Sequence, residues 1–341
     1  MSEKAITVYD IAREAGVSPA TVSRVLTSNA RVSEEKRQRI EELIKKYDFE
    51  PNGLARSLSK QETKTIGMIV PDIRNPYFSN IFIECEMLAS QYGYNMILCN
   101  TMNDLTSEMG HLKNLCEKHV DAIIQVGGNA DEIEPNIEYV NLINKTARKM
   151  PIVVGGEFPG AECYKVYTEK EHGMGKLIDY LIQYGHRRIA LIGGRNTVIP
   201  TVRKRESLKH YLQIYDLEPD PELITDSDYG IEGGYESMKK LLDRNNIPTA
   251  IIAVNDQVAI GVMRACAESK IRIPSDLSLV AFDDTYFSEI AIPQLTSVNY
   301  NLKLHSEKMM ATIIDSINGN ETERVKSVET FLTIRDSCQK I

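Results

Sequence analysis

SPATVSRVL, residues Ser18–Leu26, decides how the first part of this 341-residue chain is read. Ser18 can cap a helix, and Pro19 suits its first position, where an N–H would be unpaired anyway. Val22, Val25 and Leu26 then form an inward apolar stripe, leaving Ala20, Thr21, Ser23 and Arg24 on the outer side. A helix that only fills a core has no need of those hydroxyls and that arginine together. Just upstream, TVYDIAREAG (Thr7–Gly16) predicts a helix with Thr7 as N-cap and Asp10 three residues later, a variant of the capping box. Val8, Ile11, Ala12 and Ala15 fall on one side of it, and Gly16 ends it. Downstream, Ser33 is expected to cap SEEKRQRIEELIKKYDF. There Glu34 and Glu35 in the first turn and Lys45 and Lys46 in the last suit the helix dipole. Ile40, Leu43, Ile44 and Tyr47 face inward. Three short helices around one small core, the first two joined by a glycine turn, predict a helix-turn-helix. Its second helix would offer its N-terminal end to the major groove. Ser18, Thr21 and Ser23 suit phosphate oxygens, and Arg24 suits a phosphate or a guanine edge. A plain three-helix bundle with a solvated arginine is the other reading of the same pattern.

The charge pattern favours a local nucleic-acid surface over a global one. The net charge is -8, yet residues 1–64 carry twelve Lys/Arg against ten Asp/Glu, and the remainder 28 against 38. An acidic body repels DNA, so contact is expected in the N-terminal segment alone. The six cysteines (Cys85, Cys99, Cys116, Cys163, Cys266 and Cys338) form no CxxC pair, and several sit in apolar runs. Reduced thiols in a cytoplasmic protein are expected. With no signal peptide and no stretch of eighteen apolar residues, no membrane association is expected.

Between these parts lies YDFEPNGLARSLSKQETKT (Tyr47–Thr65). Pro51 and Asn52 end the preceding element, and Leu54, Ala55 and Leu58 allow about two helical turns, too few to nucleate alone. The segment suits a plain linker. It also suits a piece that orders on binding, with Leu58 packed on a partner chain or wedged into a minor-groove base step.

From Thr65 apolar runs such as TIGMIVPD, DAIIQVGG, RRIALIGG, AIIAVND and LSLVAFDD alternate with amphipathic helices. That texture predicts parallel sheets covered on both faces. The pattern restarts near Val166, so the body is read as two α/β lobes around a cleft. Ligands of such sheets bind beyond the carboxyl ends of the strands. Those ends nominate Asp72, Asn75, Tyr77 and Phe78, the glycine pairs at 127–128, 155–156 and 193–194, and Asn255, Asp256, Asp283 and Asp284. Any single Asp or Asn could instead cap the next helix.

Catalysis is not expected. Asp283 and Asp284 are adjacent on a strand and point to opposite faces. The six histidines give no HxxxH or HExxH spacing, and GxGxxG, GxSxG and phosphate-loop patterns are absent. Neither an enzyme, a metal site nor a cofactor is expected.

At this point the residues carry a resemblance. VYDIAREAGVSPATVSRVL (8–26), RVSEEKRQRIEELIKKYDFEPNGLARSL (31–58), TIGMIVPDIRNPYF (65–78), LIQYGHRRIALIGG (181–194), the run AIIAVND to VAFDD (250–284) and PQLTSVNYN (293–301) resemble the LacI/GalR family of bacterial transcription regulators. The resemblance covers essentially the whole chain. It implies an all-α helix-turn-helix headpiece at 1–50 and a hinge helix and linker at 51–64. The α/β bilobal body at 65–341, like a periplasmic binding protein, would have parallel sheets, with an N-lobe at 65–166 and 296–324 and a C-lobe at 167–295 and 325–341. It further implies a homodimer, usually repressing, on near-palindromic double-stranded operator DNA. Pro19, Ala20 and Arg24 would read bases. Thr7, Ser18, Thr21, Ser23 and Asn29 would join them in the DNA contact. Asn52, Ala55 and Leu58 would belong to a hinge that folds on operator DNA, with Leu58 as the minor-groove wedge. Dimer contact would run along the helix after Pro76. The small-molecule effector, a sugar or sugar phosphate, would meet Asn75, Tyr77, Phe78, Lys204, Arg205, Asn255 and Asp283. This chain departs from the family pattern at Gly156, where some relatives carry Asp, and at Glu169-Lys170, usually Asp-Asn. Together with the basic run Arg203-Lys204-Arg205, these departures point to an anionic effector such as a sugar phosphate.

Overall fold

The computed structural model describes residues 6–26, 32–49, 62–244 and 247–341. The chain divides into two compact units, Met1–Thr63 and Lys64–Ile341.

The first unit holds α1 (Val8–Ala15), α2 (Pro19–Leu26) and α3 (Glu34–Lys46). The capping box forms as expected: Thr7 Oγ1 accepts from the Asp10 N–H, and the Asp10 carboxylate accepts from the Thr7 N–H. Gly16 adopts φ 68°, the left-handed turn that leads into α2 and that glycine takes without a Cβ penalty. Ser18 Oγ accepts the Thr21 N–H at 3.3 Å. Ser33 stands at the start of α3 but makes no side-chain cap. That end is left to Glu34 and Glu35, whose charges suit the dipole. Ile11, Ala12, Ala15, Val22, Val25, Ile40 and Leu43 form the shared core. Glu14 ties α1 to α3, accepting from Lys46 Nζ at 2.8 Å and the Tyr47 hydroxyl at 2.7 Å.

The second unit begins with β1 (Thr65–Val70), α4 (Pro76–Gln91), β2 (Asn95–Asn100), α5 (Leu105–Glu117), β3 (Ala122–Gln125), α6 (Ile137–Ala147), β4 (Ile152–Val154) and β5 (Tyr164–Thr168). It continues with α7 (Lys170–Gln183), β6 (Ile189–Ile192), α8 (Ile199–Ile214), β7 (Ile224–Thr225), α9 (Ile231–Asp243), β8 (Ala250–Ala253), α10 (Asp256–Glu268) and β9 (Ser278–Asp283). It closes with α11 (Tyr286–Ile290), β10 (Thr296–Asn299), α12 (Leu302–Ile317), β11 (Val325–Val328) and β12 (Phe331–Thr333). One sheet runs β11-β5-β4-β3-β1-β2 and the other β12-β10-β9-β8-β6-β7. All pairings are parallel except β10 with β12. Fully buried central strands such as Ala250–Ala253 explain the unbroken apolar runs.

The lobe limits differ from those the resemblance implied. Residues 296–299 pair with β9 and so belong to the C-lobe, and residues 325–328 pair with β5 and so belong to the N-lobe. Likewise β5 carries the N-lobe to Thr168. The chain crosses after the strands, because each hydrogen-bond ladder runs to its strand's carboxyl end before the chain is free to leave. It passes between lobes three times, after β5, β10 and β11. Helix α12 lies with the N-lobe, where Met309, Met310 and Ile313 pack with Ile81, Cys85 and Ala89 of α4. Among the described residues, no helix is long and apolar enough to cross a membrane.

Candidate functional site: a cleft between lobes and an exposed helix face

The strand ends of both sheets open on one cavity of about 500 Å³. The N-lobe contributes Asn75, Tyr77 and Phe78 after β1, and Gly127, Gly128 and Asp131 after β3. The C-lobe contributes Lys204 from α8, Asn255 after β8 and Asp283 at the end of β9. Lys170 and Tyr300 come from two of the crossings.

Both asparagines cap as well as line. Asn75 Oδ1 accepts the Tyr77 N–H at 3.0 Å, and Asn255 Oδ1 accepts the Val258 N–H at 2.8 Å. Those bonds fix where α4 and α10 begin. Tyr77 meets Phe78 and Tyr300 edge-on, with centroids 5.1 and 5.9 Å apart, an arrangement that places ring edges against ring faces.

Lys204 forms the floor. It is 6% exposed, donates to the Val254 carbonyl at 2.6 Å, and sits 4.2 Å from the Phe282 ring centroid. Burial pulls its ammonium well below the usual lysine range; the Asp283 charge opposes this and the Lys170 charge adds to it. Asp283 is 8% exposed with φ 98°, strained backbone that turns its carboxylate toward the cavity. Burial raises its pKa, opposed by the Lys204 and Lys170 charges. Its neighbour Asp284 faces away, bound to Arg335 at 2.7 Å and to Thr333 and Asn299. The opposite facing expected of this carboxylate pair is therefore present, and no acid–base dyad forms.

One side of the cleft is clasped. Arg195 pairs with Glu132 at 3.0 Å, the Ile133 N–H donates to Thr197 O at 2.8 Å, and Arg203 holds Glu157 at 2.6 Å. Each contact joins an N-lobe loop to the C-lobe segment around the start of α8.

Six of the seven effector residues expected from the sequence line this cavity. Arg205 does not. It turns under the sheet end, donates to the carbonyls of Gly193 and Gly194, and pairs with Asp226 at 2.6 Å. Successive helix residues point about 100° apart, so Arg203, Lys204 and Arg205 reach three different places. Asp131, Lys170 and Tyr300 were missed. The Glu169-Lys170 departure was the only sequence signal for any of them.

On α2, Ser18, Ala20 and Arg24 are exposed, and Pro19, Thr21 and Ser23 are half-buried. Ser18 Oγ and Thr21 Oγ1 lie 2.9 Å apart, so a ligand contact would compete with this mutual bond. Thr7 is engaged in its capping box. Asn29, Asn52, Ala55 and Leu58 lie outside the described residues. Among the described residues, no group of His, Cys, Asp and Glu could hold a metal ion.

A capped helix-turn-helix followed by a two-lobed body around a small-molecule-sized cleft defines a class: DNA-binding regulators with a ligand cleft. Residues 7–52 match the bacterial regulatory proteins of the lacI family, and residues 178–338 match a periplasmic binding protein-like domain. Catabolite control protein A of Staphylococcus xylosus is 36% identical over 294 residues, covering 86% of this chain and 87% of that protein. A lac repressor dimer bound to operator and the anti-inducer ONPF has the same fold, with TM-score 0.86 over 98% of this chain and 100% of that one at 23% identity. A LacI family regulator from Enterococcus faecium with bound ribose aligns over 81% of this chain and 99% of its own, with TM-score 0.70 and 25% identity. The chain belongs to the lacI family of bacterial regulatory proteins. It is a DNA-binding transcriptional regulator, not an enzyme.

Proposed function

We propose that this protein is a repressor that binds a near-palindromic operator as a homodimer, with a carbohydrate or sugar phosphate in the cleft setting operator affinity. Residues 1–50 would form the DNA-binding domain, 51–64 the hinge and 65–341 the effector-binding and dimerising body. The observation that carries the reading is the pairing, in one chain, of an exposed Arg24 on a capped second helix with a cavity lined by Lys204 and Asp283. Pro19, Ala20 and Arg24 would read base edges. Thr7, Ser18, Thr21, Ser23 and Asn29 would hold the backbone. Asn52, Ala55 and Leu58 would act in the minor groove. Asn75, Tyr77, Phe78, Lys204, Asn255 and Asp283 would meet the effector. Dimer contact along α4 is supported by Ile83 and Met87, which are 51% and 55% exposed on that helix. The bound ribose of the Enterococcus faecium regulator supports a sugar-like occupant. The effector acts only if the closed and open cleft bind it with different affinity, since a ligand with equal affinity for both states shifts nothing.

Selection of bound fragments from the host's genomic DNA, at fixed salt, tests the reading. A recovered short palindrome beside a transport or catabolic operon supports it. No enrichment over random DNA, with and without metabolite extract, rejects it.

A further inference from the structure

We propose that Lys170, Lys204 and the Tyr300 hydroxyl form an anion subsite within the cleft, which makes the effector a polyhydroxylated molecule carrying one acidic group, a carboxylate or a phosphate. This rests on the reading of the cleft as the effector site. Lys170 opens α7 and Lys204 lies within α8, yet their Nζ atoms stand 5.9 and 5.7 Å from the same Tyr300 ring centroid. Two ammonium groups facing one ring repel each other, and the Lys170 charge adds to the burial that depresses the Lys204 pKa. A buried charge such as that of Lys204 is normally paired; Lys170 is half-buried. Here, among the described residues, neither lysine has a carboxylate within 4 Å. Each ammonium has three donors; Lys204 spends one on Val254 O, and Lys170 makes no hydrogen bond among the described residues. The Tyr300 hydroxyl is buried with no hydrogen-bond partner among the described residues, a state that native proteins seldom leave unanswered. One anionic group between the two lysines, accepting from Tyr300, would satisfy all three.

The rest of the cavity explains the hydroxyls. Asp131 and Asp283 line it without a hydrogen-bond partner among the described residues, and only donors can fill their lone pairs. The rim arginines are already committed, Arg74 to Asp72 at 2.8 Å and Arg195 to Glu132 at 3.0 Å. The Asp283 charge acts on both lysines and the Asp131 charge on Lys170, so the acidic group and the hydroxyls next to it share one region of a cavity of about 500 Å³, within the size range of small-molecule sites.

The test uses the full-length protein without DNA. Its thermal midpoint is followed as inorganic phosphate replaces chloride at constant ionic strength, and calorimetry is run with D-gluconate, D-glucose 6-phosphate and D-glucose. We expect phosphate to raise the wild-type midpoint and to raise that of Lys170→Gln far less. We also expect an acidic sugar to bind at least about 10-fold more tightly than D-glucose. That preference should fall about 10- to 100-fold in Lys170→Gln, the usual scale for a hydrogen bond to a charged group. Tyr300→Phe should weaken the acidic sugar several-fold with the fold intact. Preference for gluconate assigns a carboxylate, and preference for the phosphate ester assigns a phosphate. Equal binding of D-glucose and the acids, or a phosphate response that is absent from the wild type or unchanged in Lys170→Gln, overturns the proposal. An anion response in a protein that binds no operator would defeat the operator-bound repressor reading and leave the subsite standing.

Discussion

Glu108 is 1% exposed inside the N-lobe, beneath the glycine turn after β3. It accepts from Gln125 Nε2 at 2.8 Å and from the Asn129 N–H at 3.2 Å. Burial pushes its pKa from 4.5 to about 7 against those hydrogen bonds. A carboxyl raised in the folded state stabilises it while protonated, so this contribution is whole below about 4.5 and is lost as pH rises through about 7. Glu108→Gln should therefore gain on the wild type as pH rises from 4.5 to 8, by on the order of 3 kcal/mol. Urea unfolding across that range would measure it, and parallel pH profiles would contradict it. Two buried tyrosines allow a second comparison. Tyr139 donates to Gln125 Oε1 at 2.8 Å, whereas the Tyr300 hydroxyl has no partner among the described residues. Tyr139→Phe should cost about 1 kcal/mol and Tyr300→Phe nothing or less. Equal losses in thermal unfolding would mean that the Tyr300 hydroxyl is satisfied in solution.

At the scale of elements, legibility followed burial. Runs such as AIIA at β8 are buried throughout, and the sequence displays them openly. The edge strands are different. Only Val328 of β11 is buried, and β12 has no buried residue, so neither shows a clean apolar pattern. Helix α12 was missed because its start carries no side-chain cap; Asn301 stands there at φ 51°. In the site, strand-end residues were legible because the sheet rule places them. Lys170, Asp131 and Tyr300 were not, because three distant segments meet only after the lobes cross. The basic run at 203–205 misled because composition ignores helical direction. One helix contact was also hidden. A Cβ on Gly261 would sit 2.0 Å from Ile231 O and 2.6 Å from the Tyr235 nitrogen, so α9 and α10 touch backbone to backbone. Backbone cannot step aside as a side-chain tip can, and Gly261→Ala should destabilise by about 1–3 kcal/mol. A change under about 0.5 kcal/mol in thermal unfolding would show that the helices separate freely.

At the scale of the molecule, reading DNA and sensing the cleft should be separable. Arg24→Ala should weaken operator binding by about 10- to 100-fold and leave cleft binding untouched. Equal loss of both would indicate a folding defect. The clasp beside the cleft is open to a local probe. Arg203 is 44% exposed where it meets Glu157 and Glu171, so solvent screens it and its removal should cost no more than about 1 kcal/mol. That still speeds exchange of the Ile133 amide, which is bonded to Thr197 across the cleft, by up to about fivefold. Unchanged exchange in Arg203→Ala would show that this ion pair does not hold the lobes.

The threefold crossing also governs how the protein can be made. The N-lobe needs residues 325–328 to finish its sheet and α12 to fill its core. The C-lobe needs residues 331–333. A ribosome that has completed β5 must still polymerise the whole C-lobe before the first lobe receives its last strand. At elongation rates of about 5–20 residues per second, that wait lasts roughly 8–32 s. Throughout it the edge of β5 awaits β11, a backbone row open to any passing strand. Chains cut short before residue 325 would leave both lobes unfinished, so premature termination late in the message should yield material for proteases and chaperones, not a shortened regulator.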